Sequence, residues 1–423
     1  GYQADTINAG DGDDAIAGGD GADTINAGAG NDVVYLTKSA LTEDASIDGG
    51  TGSDTLSFFN IGTWDNETYA AVTFNLANDL GNATNFENIA GSSYADTLTG
   101  NNAANVIIGA GNGDTLYGGD GNDSLYGDKL LSGSDQAYGV KSYSMSQGND
   151  TLYGGTGNDI LAGNDGNDTL DGGTGADTLT GGNGIDTFVI RSGDGGSSIS
   201  DADTITDFQD GTDSLGLDSS LSFGSLTIKQ SGNDTIIKEG SNFLAILTGV
   251  TASNITAVDF QSTSTTALTL NGTSSNDVLI GGAGNDTFNA NSGSDTLYGW
   301  GGNDTFNITN KSGSYTDVID GGDGTNVLSI SYSGITKMSD FASISAPTDS
   351  NGSIVFTDSN GGSISAKNIL TWTGEMKWDG YITVNSKTYR FVSDYRSEKY
   401  PWEGAYGSVY AFIYENGSNV EVV

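Results

Sequence analysis

Residues 146–189 leave this chain very few ways to fold. They divide into SQGNDTLY, GGTGNDILA, GNDGNDTLD, GGTGADTLT and GGNGIDTFV, a pattern with a nine-residue period. An Asp recurs at every ninth position (Asp150, Asp159, Asp168, Asp177, Asp186), and a large apolar residue follows two places later (Leu152, Leu161, Leu170, Leu179, Phe188). Glycines crowd the four positions before each Asp. The glycine-rich half must turn sharply, because glycine alone visits positive φ cheaply. The other half, such as Thr178-Leu179-Thr180, has β character. Side chains of a strand alternate between faces, so only its apolar middle residue points inward. Nine residues of turn and strand cannot close on themselves. Two units therefore make one coil of a right-handed parallel roll, with strands of successive coils about 4.8 Å apart.

Stacked coils also stack their turns. Asp159 is expected beside Asp177, and Asp168 beside Asp186. Two carboxylates about 5 Å apart repel by roughly 3 kcal/mol at an effective dielectric constant of about 20. Repeated along an array, this opposes folding unless a cation intervenes. The ligands on offer are carboxylates and turn carbonyls, an all-oxygen, flexible set that suits Ca²⁺ better than Mg²⁺. Binding energy then becomes folding energy. The competing reading, that each Asp only caps its turn, does not explain the nine-residue register.

The register recurs along the chain. A first array, residues 1–35, carries Asp5, Asp14, Asp23 and Asp32. Residues 36–90 hold a lone unit with Asp54, then a connector in which Val72, Phe74 and Leu76 alternate as in a strand. In that connector Trp64, Tyr69 and Phe74 are expected to be core. Residues 91–189 carry Asp96, Asn105, Asp114, Asp123 and the five Asp residues above, with an insertion at 128–145. Asn105 keeps an oxygen but drops a charge, so its site is expected to be weaker. Asp150 follows Asp123 by 27 residues, three whole units, so the insertion can loop out without breaking the roll. Residues 190–262 are expected to form an antiparallel β cap and residues 263–270 a linker. A further array, residues 271–329, carries Asp277, Asp286, Asp295 and Asp304; four extra residues follow before Asp317 and Asn326 resume the pattern. Every acidic-position residue is followed two places later by Ile, Leu, Val or Phe. Residues 330–423 lose glycine and gain aromatics, and are expected to form a small C-terminal β domain.

The unit resembles the RTX nonapeptide, Gly-Gly-x-Gly-x-Asp-x-apolar-x, of proteins exported by Gram-negative type I secretion. The phrase NFENIAGSSYADTLTGN resembles the connector that re-enters such arrays. Asp203-Thr204-Ile205-Thr206-Asp207-Phe208 and Gly211-Thr212-Asp213-Ser214-Leu215 resemble the segment that closes them. Glu421-Val422-Val423 resembles the acidic-then-aliphatic end of some type I secretion signals. The resemblance implies an all-β chain of parallel β-roll blocks, multiple Ca²⁺ ions, the type I secretion machinery as a partner, and a place outside the cell or on its surface.

Composition narrows the function. The chain has 423 residues, 66 Gly, 2 Pro, no Cys, no His and a net charge of −41. Such acidity disfavours nucleic acid, which demands basic patches. No apolar run approaches a transmembrane helix. Ser-His-Asp and Cys-His catalysis and the usual zinc sites are excluded, and nothing pairs Glu239, Glu375 or Asp379 for glycoside hydrolysis. A non-enzymatic role is therefore expected. The leading reading is a calcium-dependent structural protein of a bacterial surface layer, filament or adhesin, with self-assembly or a cell-surface glycan as its partnership. One alternative is the calcium-binding export region of a secreted enzyme, with catalysis upstream of Gly1. Another is a sugar-binding adhesin tip using Trp372, Trp378, Tyr381, Trp402 and Tyr406.

Overall fold

The structure is a computed structural model that describes residues 3–37, 39–58, 70–128, 148–345, 353–369, 371–372, 377–394, 410–415 and 418–422. Trp64, Tyr69, Glu375, Trp402, Tyr406, Val423 and most of the insertion (residues 129–147) lie outside them. The chain divides into two compact units: Gly1–Gly216 with Leu226–Asp259, and Leu217–Ser225 with Phe260–Val423.

In the first unit, alternate nonapeptides feed alternate sheets. One sheet runs in parallel from Ala15–Ala17 through Val33–Tyr35, Thr55–Ser57, Asn88–Ala90, Val106–Ile108, Ser124–Tyr126, Ile160–Asp165 and Thr178–Asn183 to Asp203–Ile205. The other face is split. Thr6–Asp11, Thr24–Ala29, Ser46–Thr51 and Ala83–Thr84 form its first part; Thr73–Asn75, Thr97–Thr99, Thr115–Asp120, Thr151–Thr156, Thr169–Thr174 and Thr187–Ile190 begin its second. Like residues stack on like: Leu152 pairs with Leu170, and Leu161 with Leu179. The inward Leu98, Leu116, Leu125, Leu152, Leu161, Leu170, Leu179 and Phe188 are fully buried. Ile7 and Leu279 are half-buried.

Glycine is required where two coils touch. Gly175 has φ +144°, and a Cβ there would overlap the carbonyl of Gly157 in the neighbouring coil. Leu116 pairs directly with Leu152 across the insertion, so the roll runs through it in register. The connector also takes part, since Asn88–Ala90 joins the continuous sheet and Phe74 is buried. Further strands close the far end. Asn242–Leu247 adds in parallel to Asp203–Ile205, and Asp234–Glu239 and Leu226–Ser231 follow antiparallel. Such strands cover the open core that a solenoid exposes at its end.

The second unit repeats the plan. Thr269–Asn271, Thr287–Asn289, Thr305–Thr309 and Val327–Ser331 build one face; Val278–Ile280, Thr296–Tyr298 and Thr316–Asp320 build the other. Two boundaries differ from the sequence expectation. The predicted linker, residues 263–270, ends inside the roll, where Leu268 donates its N–H to Asp286 Oδ1 at 2.8 Å and Leu270 stacks on Phe288. This first coil has an apolar residue but no Asp of its own, so the acidic marker misses it. The strands after residue 330 do not begin as a separate body. Ser363–Lys367 pairs in parallel with Thr316–Asp320, and Lys377–Val384 with Val327–Ser331. Phe288, Phe306, Phe356, Ile364, Ile382 and Tyr389 share one core. A parallel ladder offers its last strand to any β segment able to pair, and these strands both extend it and end it with antiparallel partners.

Candidate metal centre

In the regular repeats the acidic-position residue lies at the strand's entrance, after the glycine turn, as Asp159 precedes Ile160–Asp165 and Asp168 precedes Thr169–Thr174. Its backbone stacks both ways. Asp159 donates its N–H to Asp177 Oδ1 at 2.8 Å, and the carbonyl of Asp159 accepts the N–H of Thr178 at 2.8 Å. The same bond joins Asp150 to Asp168 and Asp168 to Asp186, each 18 residues apart, at 2.8 and 2.9 Å. Across the insertion it joins Asp114 to Asp150 and Asp123 to Asp159, each at 2.7 Å. It also joins Asp5 to Asp23, Asp14 to Asp32 and Asp32 to Asp54. The predicted neighbours are thus in contact, and each accepting carboxylate spends one oxygen on that contact.

The other oxygen is not. Among the described residues, Oδ2 of Asp14, Asp23, Asp32, Asp54, Asp114, Asp123, Asp150, Asp159, Asp168, Asp177, Asp186, Asp304 and Asp317 is buried without a hydrogen-bond partner. Leaving a charged oxygen buried and unsatisfied is costly, so each marks a demand for a positive group. The oxygen folds back over its own turn: a Cβ on Gly163, five residues before Asp168, would overlap Asp168 Oδ2. Neighbouring glycine carbonyls line the same place, since a Cβ on Gly154 would overlap the carbonyl of Gly172. No three carboxylates converge on a point among the described residues. The donor set is one or two carboxylates plus turn carbonyls, hard oxygens in an adaptable loop, and it fits Ca²⁺. The residues that would hold the ion are those with an unpartnered Oδ2, together with the carbonyls of their turns.

Burial and like charge raise the carboxyls of Asp114, Asp150 and Asp168 above the ordinary value of 3.8. Asp114 is pushed to about 9, chiefly by burial and then by Asp150, Asp96 and Asp128, against a hydrogen bond from the Asp96 N–H that lowers it. Asp150 and Asp168 are pushed to about 7, again by burial first. Each group therefore resists ionisation in the metal-free fold, the condition that a bound cation would relieve.

Other predicted positions are arranged differently. Asp5 is exposed, and Asp14 and Asp277 are half-buried. At Asp96 and Asp277, both at array entrances, Oδ2 accepts the N–H of Ser92 at 2.5 Å and of Thr273 at 2.6 Å. Asp286 Oδ2 accepts the Gly282 N–H at 2.9 Å. Asn105 donates Nδ2 to the Glu87 carbonyl of the neighbouring coil at 2.6 Å, and its Oδ1 accepts the Asn101 N–H of its own turn at 2.7 Å. Asp295 Oδ2 is held by a lysine.

The fold also recruits residues that the nine-residue count passes over. Asp44 accepts from the Asp23 N–H at 3.0 Å and has an unpartnered Oδ2. Asp203 and Asp213 accept from Asp177 and Asp186, each at 3.0 Å. Asp203 and Asp213 carry the sequence signal, an apolar residue two places on (Ile205, Leu215); Asp44 is offset by one residue from Ile47. A second ladder uses the residue before the Asp: Asn158 donates its N–H to Asn122 Oδ1 at 2.9 Å and accepts from Ala176 at 3.0 Å. The recurrent Gly-Asn-Asp was its signal.

The comparisons with known proteins agree with the repeat. Residues 1–34, 85–116, 99–129, 146–179, 153–188 and 271–306 match the family described as the RTX calcium-binding nonapeptide repeat (4 copies). Two solved structures resemble parts of the chain. The AlgE6R3 subunit of the Azotobacter vinelandii mannuronan C5-epimerase is 25% identical over 36% of this chain and 79% of its own, with a TM-score of 0.17. The AlgE6R2 subunit of that epimerase is 24% identical over 38% of this chain and 89% of its own, with a TM-score of 0.19. No curated protein matches. No helix among the described residues is long and apolar enough to cross a membrane.

Proposed function

We propose that this chain, which carries RTX calcium-binding nonapeptide repeats, is a secreted, non-catalytic structural protein of a Gram-negative cell surface. Its β-rolls fold as calcium binds, after export through a type I system into a calcium-rich exterior. There it serves as part of a surface layer, filament or adhesin. The observation that carries this reading is the division of labour in the repeat Asp. One oxygen fixes coil on coil and the other stays buried and unpartnered, so the fold is complete only where cations are abundant. Two roll-built units in one chain, each ended by antiparallel strands, supply the repeated scaffold such a role uses.

The test is a calcium titration followed together by far-UV circular dichroism and light scattering. A cooperative gain of β structure with a jump to large particles supports the assembling surface protein. The same gain with a stable monomer favours an export-and-folding module. No change in structure with calcium removes the basis of both.

A further inference from the structure

One coil of the second unit meets the demand for a cation from within. Four extra residues lengthen the loop before Asp317, so Asp295 and Asp317 are stacking partners 22 residues apart instead of 18. That loop carries Lys311, whose ammonium is buried between them. Its Nζ donates to Asp295 Oδ2 at 2.6 Å, to Asp317 Oδ1 at 2.9 Å and to the Gly293 carbonyl at 3.0 Å. An ammonium has three N–H bonds and no acceptor, and all three are used. The Tyr315 ring lies 5.4 Å from Nζ, adding a cation–π contact.

The partners are those a calcium ion would take: carboxylate oxygens of two successive coils and a glycine carbonyl of the turn that leads into Asp295. In the equivalent coils of the first unit, such as Asp159 on Asp177, the second oxygens of both carboxylates are unpartnered. At Asp295 that oxygen belongs to lysine.

We propose that Lys311 is a built-in counter-ion that takes the place of calcium at the Asp295–Asp317 step. This step of the roll therefore closes at low calcium, when the other coils are still open. The second unit then holds a preformed register from which neighbouring coils can add, avoiding the costly first closure that a repeat array must otherwise make. The inference rests on the calcium reading of the repeats, and its test separates the two.

The experiment is hydrogen exchange on the full chain, in chelator and in millimolar calcium, for the native protein and K311M. In the native protein the amides of Asp295 and Val318, which bond to Asp317 Oδ1 and to the Asp295 carbonyl, are expected to stay protected in chelator. Those of Asp159 and Thr178 are expected to be protected only with calcium. In K311M the Asp295 and Val318 amides should exchange about tenfold faster or more in chelator. Calcium should restore them, with one additional ion bound per chain. If K311M leaves the second unit unfolded even in calcium, K311M/D317N keeps the net charge of the site and should regain protection in chelator.

The proposal is overturned if the native amides at 295 and 318 need calcium as those of the first unit do. It is equally overturned if K311M keeps its protection in chelator, if calcium restores the variant without an additional ion bound, or if the double variant stays unprotected. Loss of the calcium response at Asp159 and Thr178 would instead sink the reading of the repeats themselves.

Discussion

Where a repeat Asp holds coil on coil with Oδ1 and leaves Oδ2 unpartnered, the roles of its two oxygens can be separated. D168N keeps an Oδ1 to accept the Asp150 N–H but replaces the buried, unpartnered Oδ2 with an amide. It should fold in saturating calcium, bind one ion more weakly by about tenfold, roughly 1.4 kcal/mol, and shift the titration midpoint upward. D168A removes both oxygens and leaves the Asp150 N–H without its acceptor, which costs a further 1–3 kcal/mol or so. Calcium binding isotherms and thermal melts in excess calcium tell them apart; equal loss in both variants would mean that the second oxygen carries no ligand role. The sequence made the positions plain but not this split, because turn-capping and metal binding call for the same residue type. Asn105 shows the difference: its amide reaches the Glu87 carbonyl and needs no ion.

At the scale of one coil, the inward residue and the turn glycine are both obligatory. Leu170 is fully buried and stacked between Leu152 and Phe188. Leu170→Ala should destabilise the calcium-loaded protein by about 2–5 kcal/mol, as cavity-forming core substitutions do, in a thermal melt. Gly175→Ala sets a methyl group against the Gly157 carbonyl at a φ of +144°, and neighbouring coils must part to admit it. Its melt in saturating calcium should fall at least as far as that of L170A, and a change under about 0.5 kcal/mol, the usual size for a surface site, would contradict the coil contact. Strand and turn were both legible from the alternation of Gly-rich and Thr-Leu-Thr segments. Within an unbroken array their partners were legible too, because a period of nine with two faces sets a stacking distance of 18. Coils that break the count were not legible. Asp44 stacks 21 residues from Asp23 instead of 18, and the Thr269–Asn271 coil has no acidic marker.

For the whole molecule, buried carboxylates couple folding to pH as well as to calcium. Asp114 at about 9, and Asp150 and Asp168 at about 7, lie above their ordinary 3.8 because burial opposes their charge. A carboxyl raised in this way favours the fold while protonated. Its contribution is complete below about pH 4 and is lost as the pH rises through 7 to 9. The calcium-free chain should therefore gain β structure when acidified from pH 9 to pH 5, with no metal added, and lose it on return. Far-UV circular dichroism in chelator checks this, and a calcium-free spectrum indifferent to pH over that range would contradict the burial of these groups. Calcium added near pH 7 should release protons, because the ligands must be ionised to bind.

Periodicity carried the architecture without help from three dimensions. Nine residues, an apolar residue two places after each Asp and a glycine turn admit one stacking scheme, since strand alternation and glycine's access to positive φ are local properties of the chain. Which oxygens remain for a cation was settled by packing. Ser92, Thr273 and Lys311 lie four or more residues from the carboxylates they satisfy, and folding alone brings them there. The limits of each unit were settled the same way. An edge strand accepts any segment that can reach it and pair, and the strands after residue 330 reach the end of the second roll.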